Sequence, residues 1–151
     1  MLTTSTPTNR QPAAQSSSQR LRVGYVVCRF DIGGLERVAA HLVNGLDRSA
    51  FEPVVLCLEC NGRAADWLDI ENPTIVELHK RAGNDPSVVV RLARALRDNR
   101  IDVVHSHNWG TLVETTLARR LARTPVHVHA EHGQELDSIR TGGLRRRLRN
   151  T

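Results

Sequence analysis

The stretch RVGYVVCRFDIGGLERVAAHLV, residues 22–43, decides the fold. Val23 to Cys28 is a short continuous apolar run, the pattern of a strand buried on both faces. Two glycines, Gly33 and Gly34, follow within a few residues. Beyond them Leu35, Val38, Ala39, Leu42, Val43 and Leu46 recur at spacings of three and four, which predicts an amphipathic helix with one apolar stripe. A buried strand that hands over to a helix through a glycine turn is the opening unit of a parallel α/β sheet.

The same alternation continues along the chain. Pro53–Leu58 and Thr74–Leu78 read as second and third strands with a short helical piece between them. The next helix is well marked: Asp85 can cap it, Pro86 suits its first turn, and Val88, Val89, Leu92 and Leu96 face inward. Arg91, Arg94 and Arg97 take its opposite side. Ile101–His107 reads as a fourth strand, and a helix from about Gly110 to Ala122 follows, with Val113, Leu117 and Leu121 four apart along one side. Val126–Gly133 reads as a fifth strand. Strands that alternate with helices and read as unbroken apolar runs predict a doubly wound, Rossmann-like α/β sheet of about five parallel strands. No internal repeat is present.

Composition narrows the functional classes. The chain has 151 residues, enough for one domain. Residues 1–20 are Ser, Thr, Gln and Pro with almost no large apolar side chains, so they read as a disordered leader. No stretch approaches the ~20 apolar residues of a membrane-spanning helix, and the N-terminus lacks the apolar core of a secretory signal. A cytoplasmic protein is expected. The net charge of +5 comes from 20 arginines and one lysine, Lys80. These arginines are spread over helix faces, apart from LRRRLRN at 144–150. With 3% aromatic residues there is little to stack on bases, so no nucleic-acid partner is expected. Cys57 and Cys60 form a C-x-x-C string, but one pair is half a zinc site and redox motifs open a helix rather than close a strand. Buried structural thiols are the expectation.

Ligands of doubly wound sheets bind beyond the carboxyl ends of the strands. RFDIGG (29–34), SHNWG (106–110) and EHGQE (131–135) belong there; ECNGR (59–63) and HKRAGND (79–85) are loop-like and less pointed. Gly33 and Gly34 stand at a helix N-terminus, where free N–H groups and the helix dipole favour an anion. Alone, such a pair serves a tight turn as readily as a ligand loop, and G-x-G-x-x-G is absent. Among seven histidines, His127 and His129 share a strand face and could in principle chelate, yet no third ligand converges and no metal is expected. His107 and His132 fall at or just past strand ends, where an imidazole can bind a sugar hydroxyl or stabilise phosphate charge. A satisfied surface imidazole is the plainer reading.

At this point two segments carry a resemblance. FDIGGLERVAAHLVNGL (30–46) resembles the glycine-glycine-x-glutamate segment that opens retaining glycosyltransferases of the GT-B fold, family 4. DVVHSHNWGTLVETTLARRLARTPVHVHAEHG (102–133) resembles the second hallmark of their N-terminal domain. The nearest likeness is to sugar transferases of bacterial exopolysaccharide and exosortase-type systems, and it covers about residues 21–137. The resemblance implies transfer of a sugar from a nucleotide donor to a glycan or lipid-linked acceptor with retention. It implies no cofactor and no metal, the nucleotide sugar being a co-substrate. It places Gly33, Gly34 and Glu36 at the donor phosphate and sugar, His132 at the transferred sugar as the catalytic candidate, and His107 and Asn108 on the acceptor side, with Glu131, Gln134 and Glu135 as weaker candidates. Glu36 could equally do no more than complement the helix dipole.

The family's C-terminal donor domain and its glutamate–x7–glutamate segment are not found. Residues 21–151 are therefore read as a truncated N-terminal domain, inactive in transfer by itself. The alternative is a non-catalytic α/β binding module that works with a separately encoded half. A flavodoxin-like or regulator-like domain fares worse, for want of an acidic cluster and of a lysine after the fifth strand. Peripheral contact with the inner face of the cytoplasmic membrane is compatible with the arginine excess.

Overall fold

A computed structural model of the chain describes residues 19–132. Strands β1 (Leu21–Val27), β2 (Phe51–Cys57), β3 (Ile75–Glu77), β4 (Val103–His107) and β5 (Val126–Ala130) form one sheet in the order β3-β2-β1-β4-β5. Every pairing is parallel. Helices α1 (Gly34–Asn44), α2 (Ser87–Asp98) and α3 (Trp109–Ala122) and a 3-10 turn at Arg63–Trp67 complete the described residues. The chain is thus a Rossmann-like α/β sheet, as the alternating runs imply. The expected strands exceed the observed ones by one residue at each end of β3, by Ile101 and Asp102 before β4, and by the residues after Ala130 at β5; Ile101 is buried without joining the ladder.

Alternate residues of β1 and β2 feed two separate cores. Val26, Val54 and Leu56 join Val88, Leu92, Leu96 and Ala118 under α2 and α3. Val23, Tyr25, Val27, Val55 and Cys57 join Ala39, Ala40 and Val43 of α1 and Ala64 of the 3-10 turn on the other face. Helices on both faces follow from the right-handed crossover rule, since the chain leaves β1 in one direction and β3 in the other. β1 is therefore the strand on whose two sides the winding reverses.

Two helix faces differ from expectation. On α3, Val113, Leu117 and Leu121 are exposed, and Thr111, Thr115 and Ala118 are the buried residues. Small side chains let α3 pack closely on α2 and β4, and Thr111 is satisfied by donating from Oγ1 to the His107 carbonyl at 2.8 Å. On α1, Val38 and Leu42 are left exposed while Ala40 is buried, so the packed stripe is rotated toward the 3-10 turn.

The start of α2 is held by Asp85, which is buried. Its carboxylate accepts the N–H groups of Arg81 (3.0 Å) and Ser87 (3.2 Å) and pairs with the Arg91 guanidinium at 2.7 Å. Arg91, expected on a solvated face, instead lies across the loop and donates to the Leu78 carbonyl at 2.7 Å. The Arg81 and Ser87 bonds, followed by Arg91, hold the Asp85 carboxyl well below the usual carboxylate range.

The unfolded chain, with an ordinary carboxyl near 3.9, takes up the Asp85 proton first on acidification. Stability from this cluster is thus complete above that value and is lost as pH falls below it. Asp85→Asn should lower the melting temperature at pH 7 and flatten its decline between pH 5 and 3, read by circular dichroism. An unchanged slope would exclude the cluster as a source of acid sensitivity. On α3, Leu117→Gln should change stability by no more than about 0.5 kcal/mol. Ala118→Leu should cost about 1–3 kcal/mol by overpacking. Urea denaturation that reversed this order would put the wrong face of α3 against the sheet.

Candidate functional site

The carboxyl ends of β1 and β4 lie side by side, and the chain departs from them to opposite faces. That is the crevice where doubly wound sheets take ligands. From β1 the backbone runs on through Phe30, which is fully buried and pairs with Asn61. Phe30 N–H donates to the Cys60 carbonyl at 3.1 Å, and Gly62 N–H donates back to the Phe30 carbonyl at 2.9 Å. Gly62 is small of necessity, since a Cβ there would sit 2.8 Å from the Asp31 side chain. The segment after β1 is therefore set by the segment after β2.

Gly33 has φ −170° and ψ 168°, ordinary extended backbone, and Gly34 opens α1. Neither has positive φ; among the described glycines Gly83 does. The turn itself thus does not demand glycine. A Cβ on Gly33 would meet the carboxylate of Glu36, which folds back over it at the helix N-terminus, where negative charge is favoured. In front of Gly34, beyond its chain neighbours and its own helix backbone, no atom of the described residues lies within 4 Å of where a Cβ would stand.

At the end of β4, His107 and Asn108 hold the end of β5 by three bonds. Asn108 N–H donates to the Ala130 carbonyl at 2.9 Å. Asn108 Oδ1 accepts the His132 N–H at 2.8 Å, and His107 Nδ1 lies 2.8 Å from His132 Nε2. Asn108 adopts φ 59° and ψ 161° as the residue before α3 and makes no side-chain cap. An asparagine there would ordinarily cap the helix; here its oxygen is committed to His132. A strained φ held by surrounding bonds is the kind of conformation that collects at ligand sites.

His107 is 1% exposed; its ring lies tilted against His105 with centroids 4.2 Å apart and stacks on Tyr25 at 6.1 Å. Burial, then the neighbouring His105 and His132 rings, drives its pKa down to about 3. Burial likewise lowers His105 and His127. These imidazoles are neutral at pH 7. On the other face of the sheet Ser106 Oγ bridges His127 Nε2 and His129 Nδ1 at 2.8 Å each, donating to one ring and accepting from the other. Their strand-face pairing therefore serves a hydroxyl. Among the described residues no group of three His, Cys, Asp or Glu side chains is placed to hold a metal ion.

Of the residues singled out in the sequence, the structure brings His107, Asn108 and His132 together and sets Gly33, Gly34 and Glu36 at the neighbouring strand end. Glu131 is exposed and turns to His129 at 3.4 Å, on the far side from His107. Gln134 and Glu135 lie outside the described residues. Beside the crevice the two less pointed loops build an open cavity of about 380 Å³ lined by Arg29, Glu59, Cys60, His79, Lys80 and Ala82. Arg29 pairs with Glu59 at 2.7 Å, and Lys80 reaches across to Glu114 of α3 at 3.1 Å. Arg29 and Glu59 each stand two positions past a strand end, and Lys80 stands three past the end of β3. Of the three thiols expected to be buried, Cys57 is and Cys28 and Cys60 are half-buried; burial, followed by Glu59, pushes Cys28 up to about 11, and burial pushes Cys57 up to about 12.

Comparison with known proteins gives this geometry a context. The family model described as Glycosyltransferase Family 4 matches residues 32–151. A UDP-Gal:alpha-D-GlcNAc-diphosphoundecaprenol alpha-1,3-galactosyltransferase of Escherichia coli is 26% identical over 134 residues. That match covers 83% of this chain and 33% of the relative, so the chain spans about a third of the relative's length.

Neutral His107 has a measurable consequence. An unfolded histidine titrates near 6.5, so between that value and about 3 the unfolded chain binds the proton and the folded chain does not. Stability from this ring is complete above the unfolded value and falls with pH below it, by up to about 1.4 kcal/mol per pH unit for one such group. Urea midpoints should drop between pH 7.5 and 4.5, and drop less steeply in His107→Leu. Parallel slopes would mean that His107 does not resist protonation.

Proposed function

The chain belongs to glycosyltransferase family 4, and on that premise we propose that it supplies the acceptor-side half of an enzyme that moves a sugar from a nucleotide-sugar donor to a lipid-linked acceptor. Retention of anomeric configuration follows the family resemblance. A lipid-linked acceptor is favoured over a free glycan by the E. coli relative, whose acceptor is a diphosphoundecaprenol-linked GlcNAc. Contact with a membrane would then be peripheral: among the described residues no helix is long and apolar enough to cross one.

The observation that carries the reading is the crevice between β1 and β4. One wall is the N-terminus of α1 with open space before Gly34. The other is the His107–Asn108–His132 cluster. An α-helix N-terminus offers unpaired N–H groups to a donor diphosphate. Neutral imidazole and amide groups suit sugar hydroxyls, to which they can donate or accept. Phosphate charge needs no metal in this arrangement, since the helix dipole and backbone N–H groups supply the opposing partial charge. In the proposed reaction His132 touches the transferred sugar and His107 and Asn108 lie on the acceptor side. Arg29 and Lys80 line the adjoining cavity, each paired with a carboxylate, and an acceptor's phosphates would have to compete with Glu59 and Glu114 for them.

The glutamate–x7–glutamate pattern expected to hold the donor's ribose and sugar does not occur in these 151 residues. The chain by itself is therefore expected to bind and not to transfer. Titration of ¹⁵N-labelled chain with UDP-galactose should move the amide resonances of Gly33 and Gly34, and a short-chain GlcNAc-diphosphoprenol should move those of His107, Asn108 and His132. Gly34→Val should erase the first set while leaving the melting temperature nearly unchanged, because among the described residues nothing beyond its chain neighbours and its own helix backbone stands within 4 Å of the new Cβ. Resonances that stay fixed with both ligands at millimolar concentration would overturn the reading.

A further inference from the structure

The His107–His132 contact fixes more than distance. His107 Nδ1 and His132 Nε2 are 2.8 Å apart, so one of the two nitrogens carries the shared proton and the other accepts it. His107 is buried and its Nε2 has no partner among the described residues. Two tautomer arrangements satisfy the contact. In one, His132 donates from Nε2, and His107 must then keep its own proton on Nε2, leaving a buried N–H without an acceptor. In the other, His107 donates from Nδ1, and what remains buried is a lone pair. Orphaned buried donors are rarer than orphaned acceptors. The neighbouring rings of His105, tilted by 34°, and Tyr25, stacked, give that nitrogen no hydrogen-bond partner.

We infer that His107 is a positioning residue whose Nδ1–H donates to His132 Nε2 and thereby holds His132 as the Nδ1–H tautomer. This rests on the reading of His132 as the group at the transferred sugar and sharpens it. With Nε2 occupied, the polar group His132 has left to offer is the Nδ1–H, a hydrogen-bond donor. His132 then binds an oxygen of the substrate as a neutral donor and does not draw a proton through Nε2. The clamp from Asn108 has the same effect on the main chain. Its side-chain oxygen accepts the His132 N–H, and its own N–H donates to the Ala130 carbonyl, so ring and backbone of His132 are both set from β4. The positive φ of Asn108, 59°, is the backbone conformation from which both bonds are made at once.

The test needs no turnover. Long-range ¹H–¹⁵N correlation spectra of the full chain with ¹⁵N-histidine, recorded near pH 7.5, report which ring nitrogen of each histidine is protonated. For His132 the expected pattern is a pyrrole-type Nδ1 and a pyridine-type Nε2, the tautomer that free imidazole side chains disfavour. His107→Asn, whose side-chain NH₂ replaces the Nδ1–H, should keep that pattern. His107→Leu, which fills the same buried space without a donor, should shift it to a pyrrole-type Nε2. A wild-type His132 protonated on Nε2 would overturn the inference, and so would an unchanged tautomer in a folded His107→Leu. If His107→Leu does not fold, the wild-type spectrum decides alone. Failure of the functional reading looks different: ligand titrations would leave the His132 resonances fixed while its tautomer stayed as inferred.

Discussion

A parallel sheet must return each strand by a right-handed crossover, and this constraint shapes everything else in the molecule. β1 has β2 on one side and β4 on the other. The chain therefore leaves β1 for one face through Gly33 and Gly34, and leaves β4 for the other face through His107 and Asn108. Neither loop can cover the other's strand end, so an opening is left between them. The crevice is a consequence of strand order, and the residues at its rim decide what it can hold. The extra backbone rung from Phe30 to Cys60 and Gly62 keeps one rim fixed. The bonds from His107 and Asn108 to Ala130 and His132 keep the other.

Five histidines at the ends of β4 and β5 would be a metal site in many proteins, and strand geometry explains why they are divided here. Side chains alternate between the faces of a strand. His105 and His107 point to the α1 face, beside Tyr25. His127 and His129 pair in register with Val104 and Ser106 and so lie on the α3 face. His132 follows the end of β5 and returns to His107. The two groups are separated by the sheet itself. Burial keeps His107 neutral, and a neutral ring can be donor at one nitrogen and acceptor at the other. That property is what makes a histidine-to-histidine hydrogen bond possible at pH 7, where two imidazolium rings would repel.

How far this was legible in the sequence depends on which physical signal each feature leaves. The buried strands were legible because unbroken runs such as Val23–Cys28 have few other uses, and their alternation with helices specifies parallel pairing. The faces of α3 were not. Spacing of Val113, Leu117 and Leu121 marks an apolar side without naming its partner, and the structure buries Thr111, Thr115 and Ala118 instead. Close helix packing selects for small side chains, which no hydropathy pattern reports. His107, Asn108 and His132 were legible as strand-end residues in a recognisable family order. Their mutual bonds were not, because contacts across 24 or 25 residues leave no local trace. The Arg29–Glu59 and Lys80–Glu114 pairs leave no trace for the opposite reason: charged residues in loops and on helices are too common to single out.

The glycine pair gains a different meaning from the structure than from spacing alone. Backbone angles excuse both residues from the usual need for glycine, since neither has positive φ. What remains is space. Gly33 is kept small by Glu36, whose carboxylate lies over it, and Gly34 faces an opening. A carboxylate at a helix N-terminus is stabilised by the same partial charge that would attract a phosphate. The two anions compete for it, and close approach of like charges in a partly enclosed site is costly. Under the proposed function Glu36 therefore cannot hold the donor diphosphate directly. Its carboxylate over Gly33 is an internal anion at the N-terminus of α1.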